Sequence, residues 1–64
     1  MSENQSLAVH YEQKHASGST VHVAGGRFQG AGEVEQFSSL ENKYLVVMRE
    51  GGRRVWVESK EVRA

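Results

Sequence analysis

Val21-His22-Val23-Ala24-Gly25-Gly26-Arg27-Phe28-Gln29-Gly30-Ala31-Gly32-Glu33-Val34 is the stretch on which the fold turns. It reads as a strand, a glycine-rich turn carrying one aromatic, and a second strand. Four of the seven glycines stand within it. Glycine takes positive φ, or lets another backbone approach closely, at little steric cost. Such density predicts a tightly shaped loop between two short strands, and with it a small all-β fold.

Outward from this stretch the β pattern continues. Thr20 to Ala24 alternates, with Val21 and Val23 on one face and His22 on the other. Gly25 to Gly32 is expected as the loop and Glu33 to Ser38 as the next strand. Val34 and Phe37 break strict alternation there, so a bulge or bend near Gln36 is expected. Ser38 to Asn42 reads as a loop. Lys43 to Glu50 is apolar on both faces through Tyr44-Leu45-Val46-Val47-Met48, which predicts a central strand. Gly51-Gly52 is a two-residue hairpin signal, because both central positions of a type I′ turn need positive φ. Arg53 to Glu58 returns, with Val55 and Val57 facing one way and Trp56 the other. Ser59-Lys60-Glu61 predicts one 3₁₀ turn, after which Val62 enters the core. The expected core is Val21, Val23, Val34, Leu45, Val47, Val55, Val57 and Val62, joined by Phe37.

Residues 1–18 differ in character from the barrel expected over 19–64. They are polar and run into the linker-like His15-Ala16-Ser17-Gly18-Ser19 at the boundary. Two readings stand: a flexible tail, or a short helix with Ser2 and Gln5 at capping-box spacing and Leu7, Tyr11 and His15 at i, i+4, i+8.

Sixty-four residues form one domain, with a core of marginal size. There is no cysteine, hence no disulfide and no thiolate metal site. Self-association is the remaining means of support, so a homo-oligomer is expected. Eight basic residues balance eight acidic ones, which argues against bulk phosphate binding but leaves room for a local basic patch. No apolar run reaches the ~20 residues of a membrane span, and no signal peptide is visible. A cytoplasmic protein without membrane association is the expectation.

With the loop and hairpin placed, residues Ser19 to Arg63 resemble an SH3-like barrel of about five short strands, and within that class the KOW motif. Gly26-Arg27-Phe28-Gln29-Gly30 is similar to the KOW turn, and Gly32-Glu33-Val34 to the strand after it. The gap between Gly30 and Gly32 is one residue shorter than the motif's usual spacing. The resemblance implies contact with RNA, ribosomal components or transcription machinery. The layout also resembles the type II dihydrofolate reductases, small barrels that form tetramers and share an aromatic-Gln-Gly step like Phe28-Gln29-Gly30. Their Gln-Ile-Tyr triplet falls here on Val55, Trp56 and Val57, so the amide and the phenol are missing. That likeness carries over an oligomeric habit and no chemistry.

Residue patterns for catalysis are missing. His10 and His15 are five apart and share no helix face, while His22 has no sequence-near partner, so no metal site is expected. The serines lie in no nucleophile elbow. Glu33 and Glu35 read as a solvated strand face that discourages edge pairing. The glycine run lacks the following helix that a phosphate cradle needs. We therefore expect a non-enzymatic binding module with no cofactor and no catalytic residue. Its recognition surface is expected at Arg27, Phe28, Tyr44, Arg49, Arg53, Arg54 and Trp56. Guanidinium forks pair with phosphate, and aromatic faces stack on bases. RNA or DNA, or a machine that carries it, is the first expected partner. A protein partner or a second copy, met through an exposed Trp56, is the alternative. An oligomeric pore-type reductase ranks last.

Overall fold

The computed structural model describes residues 10–64. Strand β1 runs Thr20–Val23, β2 Gly30–Ser38, β3 Lys43–Met48, β4 Arg54–Glu58 and β5 Val62–Arg63. They form one antiparallel sheet in the order β4-β3-β2-β1-β5. A single 3₁₀ turn, Ser59–Glu61, joins β4 to β5, where the sequence places it. All five strands contribute side chains to one buried cluster, so the sheet curls until both edge strands reach the same core.

The bulge forms where the alternation breaks. Between Val34 and Gln36 the register against β3 shifts by one residue. Glu35 and Gln36 are both exposed, which returns Phe37 to the inner side with Val34. An extra residue in one strand is the device that reconciles two apolar positions three apart with a period of two.

Strand β2 starts at Gly30, earlier than the expected Glu33, and takes Gly30 to Gly32 out of the loop. Gly32 serves close approach instead of a turn. A Cβ there would lie 2.5 Å from Val46 Cγ1 and 2.8 Å from the Val47 carbonyl oxygen. Gly25 and Gly26 remain true loop glycines, at φ 85° and 73°.

The face of β3 is the reverse of the expectation. Tyr44, Val46 and Met48 are buried, whereas Leu45 and Val47 are half-buried on the outer side. The cause is register: Val34 pairs with Val46, Val46 with Val55 and Tyr44 with Val57, so the inward valines of both neighbours select the even-numbered residues of β3. Tyr44 is fully enclosed at 0% exposure and is no part of a recognition surface, which corrects its expected place.

Burying a phenol requires a partner for its hydroxyl. Residues 10–18 supply it. Tyr44 Oη accepts hydrogen bonds from the backbone N–H of Lys14 (2.7 Å) and of His15 (3.1 Å). The His15 ring meets Tyr44 edge-on at 5.4 Å, and the Phe37 ring packs on it at 4.7 Å in a tilted arrangement. Tyr11 N–H donates to the Ser39 carbonyl (2.8 Å), and Gly18 N–H to the Val34 carbonyl beside the bulge (2.7 Å). This segment is thus an extended strap bound to the sheet, neither a free tail nor a helix. The expected cap at Ser2 and Gln5, and Leu7, lie outside the described residues.

Candidate functional site

Two connections carry four of the seven expected site residues. The first joins β1 to β2 and holds Arg27 and Phe28. The Ala24 N–H donates to the Glu61 carbonyl (2.8 Å), tying the loop to the 3₁₀ turn. At Gly26 the Glu61 carboxylate sits so close that a Cβ would lie 2.6 Å from Oε2. The second connection is the hairpin between β3 and β4. Its loop is the four residues Arg49 to Gly52, closed by Met48 N–H on the Arg53 carbonyl (2.7 Å), with positive φ at both glycines. It is two residues longer than the expected turn.

Arg49 N–H donates to the Ala31 carbonyl (2.9 Å), which holds the hairpin against the start of β2. The two connections thereby face each other across a groove of about 670 Å³. Arg27, Phe28 and Gln29 form one wall, and Arg49, Glu50 and Arg53 the other. Met48 and Ala31 line the floor. Phe28 is half-buried, packing against the core while also lining the groove. Three arginines against one glutamate leave a local excess of two positive charges on a chain of zero net charge. Among the described residues, none of these arginines forms an ion pair. Four of the expected site residues, Arg27, Phe28, Arg49 and Arg53, therefore meet in one place. Gln29, Met48 and Glu50 belong to it too. Their signal in the sequence is adjacency to those arginines and to Phe28.

The other expected residues lie elsewhere. Arg54 is on the outer face of the sheet, where its Nε bonds Glu35 Oε1 at 2.9 Å. The Arg54 side chain is 66% exposed and that of Glu35 37%, so the pair is partly screened by water and contributes little to stability. Trp56 is also outside, 48% exposed. It borders a smaller cleft of about 230 Å³ whose far side is again Arg27 and Phe28. Tyr44 is in the core.

The histidines do not converge. His10 Nδ1 meets Ser39 Oγ at 3.2 Å, His15 packs on Tyr44, and His22 is exposed on β1. Among the described residues no three His, Cys, Asp or Glu side chains gather as metal ligands. No described helix is long and apolar enough to cross a membrane. Comparison with protein-family models, with curated proteins and with solved structures finds no match to this chain.

Proposed function

We propose that this protein is a KOW-like nucleic-acid-binding module, non-enzymatic, whose groove between the glycine loop and the β3–β4 hairpin takes a single strand of RNA or DNA. The observation that carries this reading is the meeting of Arg27, Arg49, Arg53 and Phe28 in one groove. The guanidinium groups supply phosphate contacts, which position the strand without reading its sequence. The exposed part of Phe28 supplies an aromatic surface on which a base can stack, as in other single-stranded binders. The neutral chain makes this binding local: the attraction comes from a two-charge excess in a groove, and long-range steering is weak.

The test is fluorescence anisotropy with short RNA and DNA oligonucleotides across a salt series. Three phosphate contacts predict a slope of log K against log salt of about −2, at about 0.7 per phosphate for single strands. Replacing Arg49 and Arg53 with alanine flattens that slope to about −0.7 and weakens binding by tenfold or more at low salt, on the order expected from two lost charge-assisted bonds. Binding that the double variant leaves unchanged refutes the reading.

A further inference from the structure

Strand β4 stands at one edge of the sheet, and its five residues are Arg54-Val55-Trp56-Val57-Glu58. Val55 and Val57 are buried; Arg54, Trp56 and Glu58 are exposed on the outer face. Two bonds show which backbone groups of β4 face its neighbour: Met48 N–H to the Arg53 carbonyl, and Ser59 N–H to the Asn42 carbonyl (3.0 Å). In an antiparallel ladder, opposed residues alternate between pairs that exchange both bonds and pairs that exchange none. In steps of two from Arg53 and from Ser59, Val55 and Val57 are the residues bonded to Val46 and Tyr44. The N–H and C=O groups of Arg54, Trp56 and Glu58 therefore point away from the sheet. No backbone group among the described residues meets them. The glycine loop stands off the C-terminal half of this edge across the 230 Å³ cleft.

We propose that this edge recognises itself: β4 pairs antiparallel with β4 of a second copy, about a two-fold axis at Trp56. The sequence of the strand is its own complement in that arrangement. Arg54 falls opposite Glu58 of the partner subunit, Glu58 opposite Arg54 of the partner subunit, and the two tryptophans face each other. The backbone phase agrees, because these three positions are the ones whose N–H and C=O groups are turned outward. Edge strands are normally guarded by charges that repel a copy. Arg54 already pairs with Glu35 and Glu58 with Lys60 (3.5 Å) in the same chain, yet the two ends of the strand keep opposite sign, so antiparallel pairing brings unlike charges together and parallel pairing brings like charges together. On the far side of Trp56, Leu45 is its cross-strand neighbour, so the two tryptophans would complete an apolar row across two copies. The proposal does not depend on the arginine groove or on nucleic acid.

Sedimentation equilibrium on charge-swapped variants tests it. The wild-type chain sediments as a dimer. Arg54→Glu opposes two carboxylates at each end of the paired strands, and Glu58→Arg opposes two guanidinium groups. Each substitution alone weakens dimerisation by about tenfold or more, since directly opposed like charges are destabilising across a strand pair. An equimolar mixture of the two variants restores unlike charges at both ends and forms a heterodimer with near wild-type affinity. Circular dichroism checks the fold of each variant. A wild-type chain that stays monomeric up to its solubility limit overturns the proposal. So does a folded variant that dimerises like wild type, or a mixture of folded variants that associates no better than its components. Where Arg54→Glu fails to fold, Glu58→Arg alone decides: the tenfold loss supports self-pairing, and unchanged affinity overturns it.

Discussion

Strands β3 and β4 are neighbours in one hairpin, yet they present their information differently. β4 alternates strictly between buried valines and exposed Arg54, Trp56 and Glu58, and its pattern declares its inner face. β3 is apolar at every position from Tyr44 to Met48, so its pattern is silent on which face is which. In β4 the side chains choose the orientation. In β3 the neighbours choose it, and the hydroxyl of Tyr44 then has to be accommodated by the strap of residues 10–18. A continuous apolar run records that a strand is covered on both sides, but it leaves the orientation to register.

The sharpest way to break this contrast is inside β3 itself. Val46→Ala removes buried methyl groups from a side chain at 0% exposure and is expected to cost about 2 kcal/mol, whereas Val47→Ala, one residue along on the outer side, costs well under about 1 kcal/mol. Urea denaturation of the two variants measures the difference, and equal losses would mean that β3 has no preferred face. A smaller effect comes from the strap. Tyr44→Phe keeps the ring and deletes only the acceptor for the Lys14 and His15 amides, at a cost of about 1 kcal/mol. Hydrogen exchange at those two amides should accelerate more than at the β3 amides; uniform acceleration would show that the strap and the core open together. The smallest effect is expected in β4. At concentrations too low for association, Trp56→Ala shifts stability by no more than about 0.5 kcal/mol, as at other exposed positions. A large loss in thermal melts would place the tryptophan in the core and reverse the comparison.

Much of the fold is legible in the sequence where local chemistry is decisive. The conflict between Val34 and Phe37 locates the bulge. The pair Gly51-Gly52 marks the hairpin, although the connection extends back to Arg49 because the ladder closes at Met48 and Arg53. The face of β3 is recoverable too. A two-residue turn at Gly51-Gly52 already sets even-numbered residues of β3 opposite odd-numbered residues of β4. The valines at 55 and 57 thus select Tyr44, Val46 and Met48, with either loop length giving the same parity. What the sequence hides is the strap, because its bonds run from backbone amides to a phenol some thirty residues away, and the periodic signal at that end, Tyr11 and His15 four apart, points to a helix instead. The groove was half visible. Arg27 with Phe28, and Arg49 with Arg53, stand out as two clusters. Their meeting depends on the Arg49–Ala31 hydrogen bond, which no local pattern announces.

Gly32 has a consequence for how this protein can change. At that point β2 and β3 approach so closely that the space of a single methyl group is already occupied by Val46 and the Val47 carbonyl. Gly51 and Gly52, by contrast, have open space around them and constrain substitution only through their backbone angles. A library randomised across the chain should therefore retain glycine at 32 in nearly every folded member, while the hairpin tip accepts asparagine or aspartate. Sequence change is then concentrated at the tips of the two connections, with the sheet between them held invariant.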